Sequence, residues 1–231
     1  MSRDLYASLS GASSMWRELE MLSHNVSNTN TDGFKEFRMV IEEAGRGDGA
    51  LGRPYATPRS EAPNMNDGPL EYTDDPYHLA LQGDGFFAVE TPAGMKMSRA
   101  GRFSPDSEGF LIDPQGNKLL GQSGPIQVPE GETISVAASG EVSGNLSGEI
   151  DRLRLVRADK PKSMGGALWD PEGDMKEATP EVIQGAIEGS NADPMRLMVE
   201  LIEAYRHFEA QQKVMHSSDD MDSRLNRSGG S

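Results

Sequence analysis

Residues 5–26 read LYASLSGASSMWRELEMLSHNV, and apolar residues recur in this stretch at steps of three and four. The recurring residues are Leu5, Leu9, Ala12, Trp16, Leu19, Leu22 and Val26. Such spacing predicts an α-helix, over about residues 3–28, with a single narrow apolar stripe. A stripe this narrow is typical of a coiled-coil seam, which has to be buried against another helix.

The other end of the chain offers a helix of the same kind. Apolar residues recur there at Met198, Ile202, Tyr205, Phe208 and Met215. All 14 prolines lie at positions 54–194, so the interior of both stretches is free of the residue that interrupts helices. A helix over about 194–225, with residue 193 as its N-cap, is therefore predicted. Either the two helices pack only on each other within one monomer, or they also pack against other copies, as in a polymer.

The composition excludes several classes of protein. The chain has 231 residues and a formal net charge of −15, so it lacks the basic stripe that binds nucleic acid or an anionic membrane. It has no cysteine, which excludes disulfides and cysteine-bound metals. The sequence contains no apolar run of about 18 residues, so it predicts no membrane-spanning helix. The first residues lack the pattern of a secretory signal, so we expect a cytoplasmic protein or export that cleaves no signal.

The region between the two helices changes pattern twice. Residues 44–69 are rich in Gly, Pro and charged residues without a period, and they predict a linker or long loops. From about 70 to 158, short apolar runs alternate with turn residues, which predicts a β domain. Residues 159–181 predict a return strand and a second linker. The predicted fold class is α+β, in which long terminal N- and C-helices pair as a coiled-coil-like helical domain with an inserted all-β central domain.

No set of side chains has the spacing of a catalytic or metal centre. The four histidines have no acid, nucleophile or second ligand at a meaningful spacing, so surface or interface imidazoles are expected. The stretch 83–85, Gly-Asp-Gly, lacks the spacing and the following helix of a phosphate loop, and it predicts a turn. Residues 106–109 and 113–117 predict β-turns rather than calcium loops. We therefore predict no catalytic residue, no cofactor and no metal.

Three stretches resemble the motifs of one bacterial family. After the first helix, residues 25–35, NVSNTNTDGFK, resemble the N-terminal motif of flagellar rod and hook proteins. In the middle, residues 81–89, LQGDGFFAV, are similar to the central β domain of that family. Before the last helix, residues 184–193, QGAIEGSNAD, resemble its C-terminal motif. The three matches keep the family's order along the chain.

Within the flagellar rod and hook family, the sequence is most similar to the proximal rod type, with the distal rod type as the alternative. The resemblance implies a structural axial subunit of the basal-body rod that assembles with copies of itself and with the rod proteins above and below it. It also implies torque transmission from motor to hook and export by the flagellar type III apparatus without a cleaved signal. The resemblance further implies that the rod spans the periplasm. It implies no enzymatic activity and no binding of nucleic acid or of a small-molecule substrate. A soluble adaptor that does not polymerise, or an enzyme with a β-domain active site, is the rival hypothesis.

The stripes and the resemblance together predict domain boundaries and site residues. Residues 1–43 and 182–231 are the two halves of a helical rod domain, 44–69 a linker, and 70–181 the central β domain. The predicted assembly interface comprises Leu5, Leu9, Trp16, Leu19, Leu22, Val26, Met198, Ile202, Tyr205, Phe208 and Met215. The predicted motif and turn positions are Asn25, Asn28, Asn30, Gly33, Phe34, Gly83, Gly85, Phe86, Phe87, Gly185, Glu188, Ser190 and Asn191. Gly33 is expected to take a positive φ, so Gly33→Val should cost about 1–2 kcal/mol.

Overall fold

The computed structural model describes residues 2–40 and 60–228, with side chains described for 13–40 and 60–214. Over these ranges the chain forms two helices, α1 (Ser2–Ser27) and α2 (Pro194–Ser228), with sixteen strands between them. The strands are β1 (Phe37–Val40), β2 (Ser60–Pro63), β3 (Leu70–Tyr72), β4 (Leu79–Gln82), β5 (Phe86–Thr91), β6 (Gly94–Ser98), β7 (Ser104–Pro105), β8 (Leu111–Ile112), β9 (Lys118–Leu119), β10 (Ile134–Val136), β11 (Glu141–Gly144), β12 (Gly148–Arg152), β13 (Leu155–Gly165), β14 (Leu168–Glu177), β15 (Glu181–Gln184) and β16 (Ala186–Glu188). Neither described helix has the length and apolar character needed to cross a membrane.

The coiled-coil-like helical domain predicted from the sequence is wrong. The two helices lie at the expected positions and contact each other. However, the seam residues Met198, Ile202 and Tyr205 keep 50%, 54% and 55% of their surface exposed. The α2 residues that share a cavity with α1 include Ala204 and His207 instead, which lie on another side of the helix because successive residues turn by about 100°. These three residues of the predicted α2 seam are therefore not buried in the helix pair of this chain, whereas Phe208 is half-buried beside Trp16 of α1.

The described residues divide into two compact units, and neither consists of helices alone. The first, the terminal unit, comprises residues 2–27, 37–40, 60–64 and 193–228. The second, the strand-rich unit, comprises Asn28–Glu36 and Met65–Ala192. The four-part domain division from the sequence stays a prediction, and its residues 41–59 lie outside the described ranges.

Local hydrogen bonds explain where the helices begin and end. At the end of α1, Ser27 Oγ donates to the Ser23 carbonyl at 2.8 Å, and the chain then turns as Thr31 N donates to the Asn28 carbonyl at 3.1 Å. At the start of α2, Asp193 Oδ1 accepts hydrogen bonds from two backbone N–H groups, at 2.9 and 3.3 Å. This geometry confirms residue 193 as the N-cap.

Within the terminal unit, a two-stranded hairpin accompanies the helices. Strands β1 and β2 pair antiparallel, from Phe37 opposite Pro63 to Val40 opposite Ser60. Helix α1 contacts both β1 and α2. Leu22 of α1 is only 4% exposed, and the Trp16 and Phe208 rings lie 5.8 Å apart between the helices.

The strand-rich unit is built around a small closed ring of four strands. Strand β5 pairs with β6 and β13, and β14 pairs with both β13 and β6, so the ring β5–β6–β14–β13 closes on itself. Strands β9, β8 and β7 extend this sheet beyond β5. Separate pairings join β4 to β15, β3 to β16, and β10 to β11 to β12. The chain segments on either side of the central region thus complete the sheets of this unit.

The core of the strand-rich unit fills the space between these sheets. Phe86 packs against Trp169, with ring centroids 6.0 Å apart, and Phe87 meets Phe103 edge-on at 5.4 Å. Phe87 and Phe103 belong to one apolar cluster of buried residues, whose other members are Leu79, Leu81, Val89, Leu111, Leu119, Ile126, Val128, Ile134, Val136, Val142, Leu153, Leu155 and Val182.

Candidate assembly site

One side of α2 carries an exposed apolar stripe. The exposed fraction of the surface is 76% for Met195, 50% for Met198, 56% for Val199, 54% for Ile202 and 55% for Tyr205. Steps of three and four residues place them on one side of the helix. A contiguous apolar surface left in water is typical of an interaction site. We call these five residues the α2 stripe.

The predicted interface residues of α1 divide into an exposed and a covered set. Trp16 exposes 53% of its surface, and its indole N–H donates to Glu20 Oε1 at 2.7 Å. Leu22 is buried, while Leu19 and Val26 are half-buried. Phe208 of α2 is also half-buried, beside Trp16. The side chains of the remaining predicted residues, Leu5, Leu9 and Met215, lie outside those that the structure describes.

The terminal unit contains a cavity of about 400 Å³ between α1, α2 and β1. Its lining consists of Met15, Glu18, Met21, Leu22, Met39, Glu200, Glu203, Ala204 and His207. No cluster of His, Asp or Glu side chains suited to a metal ion occurs among the described residues.

Asn25 fixes the relation between α1 and β1. Its side chain is fully buried, Nδ2 donates to the Phe37 carbonyl at 2.8 Å, and Oδ1 accepts from Phe37 N at 2.9 Å. The amide thus satisfies both backbone groups of Phe37 at the start of the strand. A side-chain amide presents its donor and its acceptor next to each other, which suits it to bind both backbone groups of one residue.

The rest of the N-terminal motif belongs to the strand-rich unit. Gly33 has φ of +68°, as the sequence predicts, and its N–H donates to the Glu188 carbonyl at 2.7 Å. A Cβ at this position would overlap the backbone of Arg99 and Ala100. Phe34 is fully buried. Asn28 accepts a turn hydrogen bond through its carbonyl, whereas Asn30 is exposed.

The central motif forms a turn that leads into the core. Gly83 and Gly85 have φ of +100° and +157°, which favours glycine at both positions. Phe86 and Phe87 follow on β5 and are both buried. Successive residues of a strand point to opposite faces, and both faces of β5 are covered, since Phe86 packs against Trp169 and Phe87 belongs to the apolar cluster.

The C-terminal motif turns at Gly185 and then runs beside the N-terminal motif. Gly185 has φ of +76°, and its N–H donates to the His78 carbonyl at 2.8 Å. Ser190 is buried, and its Oγ accepts from Ala192 N at 3.2 Å. Asn191 Oδ1 accepts from the backbone N of Glu36 at 2.7 Å.

A cluster of buried charges joins these motif segments, and we call it the ionic lock. Its members are Lys35, Asp67, Arg99 and Glu188, of which all but the half-exposed Asp67 have side chains no more than 2% exposed. Glu188 Oε1 lies 2.7 Å from Lys35 Nζ, and Glu188 Oε2 lies 2.5 Å from Arg99 Nε. Arg99 Nη2 lies 2.8 Å from Asp67 Oδ1. Two cations and two anions therefore balance each other.

Backbone groups provide further hydrogen bonds to the ionic lock. Lys35 Nζ also donates to the Asn66 carbonyl at 2.8 Å, and Gly68 N donates to Glu188 Oε1 at 2.8 Å. The guanidinium of Arg99 donates in addition to the carbonyls of Leu81 and Gly85. Burial lowers the pKa of the Lys35 ammonium below its ordinary value, and the Glu188 carboxylate opposes this shift.

The sequence identified only Glu188 of this lock as a motif position. Lys35 ends the quoted stretch 25–35, and Arg99 follows the stretch 81–89. A charged side chain is ordinarily solvated, so nothing local marks either residue as buried. The signal available was their position next to a buried aromatic or small residue, as in Gly33-Phe34-Lys35 and Ser98-Arg99-Ala100.

Comparison with known proteins gives the same family for several parts of the chain. Residues 183–228 match the family model "Flagellar basal body rod FlgEFG protein C-terminal", and residues 80–144 match "Flagellar hook protein FlgE/F/G D1 domain". The chain is 30% identical to flagellar basal-body rod protein FlgF of Escherichia coli K12, over 98% of both chains. It is 30% identical to FlgF of Mesorhizobium japonicum over 94% of both chains, and 26% identical to rod protein FlgG of Bacillus subtilis over 96% of this chain and 97% of that one. The chain belongs to the flagellar basal-body rod protein family and, within it, resembles the FlgF type.

Proposed function

We propose that this chain is a structural subunit of the flagellar basal-body rod and that it assembles through the α2 stripe. Relatives of nearly the same length are named as basal-body rod proteins. The observation that carries the assembly route is that Met198, Ile202 and Tyr205 leave half or more of their surface in water. Burying such side chains against a neighbouring subunit is favoured by about 25 cal/mol per Å² of apolar surface removed from water.

The partners in this proposal are copies of the chain and the other rod proteins above and below it. Contacts that repeat head to tail give an open helical assembly, which suits an axial rod that transmits torque from motor to hook. The proposal places the chain at the proximal rod, in the part that spans the periplasm. It includes export through the flagellar type III apparatus, a role without catalysis or cofactor, and the four-part domain division predicted from the sequence.

A pair of matched variants tests the assembly route. Ile202→Asp puts a charge in the middle of the α2 stripe. Val214→Asp is the control, because Val214 is 68% exposed on the same helix but lies about 120° around it from Ile202. Each variant is expressed in cells that lack the wild-type gene, and basal bodies are isolated and probed for the chain.

We expect Ile202→Asp to abolish incorporation and swimming, and Val214→Asp to retain both. Because an unexported chain gives the same immotile cell, the amount of each variant outside the cytoplasm is measured separately. An exported Ile202→Asp chain that builds a working rod would show that the stripe is not the assembly surface. A wild-type chain that is absent from isolated basal bodies would favour the soluble adaptor instead.

A further inference from the structure

We infer that the ionic lock couples two segments of the strand-rich unit, residues 33–36 of the N-terminal motif and residues 188–191 of the C-terminal motif. Neither segment packs stably into the unit unless the other is in place. The inference rests on the geometry around Glu188 and is independent of the assembly proposal. It assigns Lys35 and Arg99 a positioning role that the sequence motifs do not explain.

The lock draws on segments that are far apart in the chain. Glu188 is 153 residues from Lys35 and 89 residues from Arg99. Backbone hydrogen bonds join the same segments. Gly33 N donates to the Glu188 carbonyl at 2.7 Å, and Asn191 N donates to the Phe34 carbonyl at 3.3 Å. Residues 33–36 and 188–191 therefore run beside each other, with the lock between them and the central strands.

The buried charges make the packing of the two segments cooperative. A buried ion is tolerated only when its partners neutralise it and fill its hydrogen-bonding sites. Without Glu188, the two buried cations Lys35 and Arg99 would be left with one half-exposed anion, Asp67, and Lys35 would lose its ion-pair partner. Without Lys35, Glu188 would lose one of its two neutralising cations, and the Asn66 carbonyl would lose a charged donor. Each motif segment thus favours the buried position of the other.

The two tryptophans of the chain allow this unit to be observed separately. Trp169 is fully buried in the strand-rich unit, and Trp16 belongs to the terminal unit. In a Trp16→Phe background, tryptophan fluorescence reports on the strand-rich unit alone. Lys35→Met and Glu188→Gln open the lock, and Lys96→Met is the matched control. Lys96 also pairs with a carboxylate at 2.8 Å, but that partner, Asp170, is 40% exposed.

We expect the lock variants to lower the urea midpoint of Trp169 unfolding well below that of Lys96→Met. Hydrogen exchange, followed by mass spectrometry of peptides over 28–36 and 186–192, should accelerate by about 100-fold in both lock variants, because each opens both motif segments. Peptides over the turn at 113–117 should keep their exchange rates in Lys35→Met. The double variant should cost less than the sum of the singles, as coupled groups do.

A charge-conserving variant separates the lock from simple packing. Lys35→Arg keeps the positive charge and should restore slow exchange in both peptides, even where Lys35→Met fails to fold. If Lys35→Arg is as damaging as Lys35→Met, side-chain shape rather than charge holds the segments and the inference is wrong. Equal midpoints for Lys35→Met and Lys96→Met would overturn it as well, as would an exchange effect confined to residues 28–36.

Discussion

Replacing Gly33 by alanine tests how closely the N-terminal motif approaches the central strands. Gly33 has φ of +68°, a region that costs an L-residue about 1–2 kcal/mol. A Cβ added there would overlap the backbone carbonyl of Arg99 and the N of Ala100. Because backbone atoms cannot rotate away as a flexible side chain does, either the turn or the Arg99 segment has to shift.

The magnitude follows from three contributions. Backbone strain adds about 1–2 kcal/mol, and forced displacement of packed atoms adds about 1–3 kcal/mol. The shift also weakens the hydrogen bond from Gly33 N to the Glu188 carbonyl, 2.7 Å long and worth about 0.5–1.5 kcal/mol. Gly33→Ala should therefore destabilise the strand-rich unit by about 3–6 kcal/mol. This exceeds the sequence-based figure for Gly33→Val, which contained only the strain.

The matched control is Gly116→Ala. Gly116 has φ of +85°, and an added Cβ meets open space, so this variant carries the strain alone. Urea unfolding is followed by Trp169 fluorescence in the Trp16→Phe background. Gly33→Ala should lose about 2–4 kcal/mol more than Gly116→Ala. If the two losses are equal, the close approach of Arg99 to Gly33 does not contribute to stability and the argument fails.

Three further substitutions probe other parts of the chain. Asn25→Ala leaves the N–H and C=O of Phe37 without their buried partner, so thermal unfolding followed by circular dichroism should show the terminal unit destabilised by about 2–4 kcal/mol. Ile202→Asp changes an exposed site, so the unfolding free energy of the isolated chain should change by no more than about 0.5 kcal/mol in urea titration. Lys176 donates to Asp159 and lowers the pKa of that carboxyl, so Lys176→Met should return the pKa toward its ordinary value in an NMR titration. The stabilisation from this lowered pKa is present above the ordinary aspartate pKa and is lost as pH falls through the folded-state value.

The sequence predicted the helices well because local rules decide them. The apolar period, the absence of proline and the N-cap at residue 193 act within a few residues of each other. The sequence could not show which side of α2 faces α1, because an apolar stripe is equally compatible with an intrachain seam and with a surface for another protein. Glu200, Ala204 and His207 face the shared cavity although they are less apolar than Ile202.

The long hairpin β13–β14 shows why some strands escape sequence patterns. The sequence assigned residues 159–181 to a return strand and a linker, yet β14 alone spans Leu168–Glu177. Strand β14 contains Pro171 and Gly173, residues that weaken a strand prediction. Its start is fixed by tertiary pairing instead, with Leu168 opposite Ser98 and Trp169 opposite Met97. Partners some 70 residues away in the chain leave no local signal.

Under the proposed assembly route, stability and association depend on different residues of this chain, because those residues differ in burial. Lys35 and Glu188 are buried charges, whose loss leaves uncompensated partners in the interior. Ile202 and Tyr205 are exposed apolar side chains, whose replacement removes little that the isolated chain uses. If the α2 stripe is the assembly surface, as proposed, polar substitution there should weaken association and leave folding unchanged. Substitution in the ionic lock should instead destabilise the strand-rich unit and thereby reduce assembly as well.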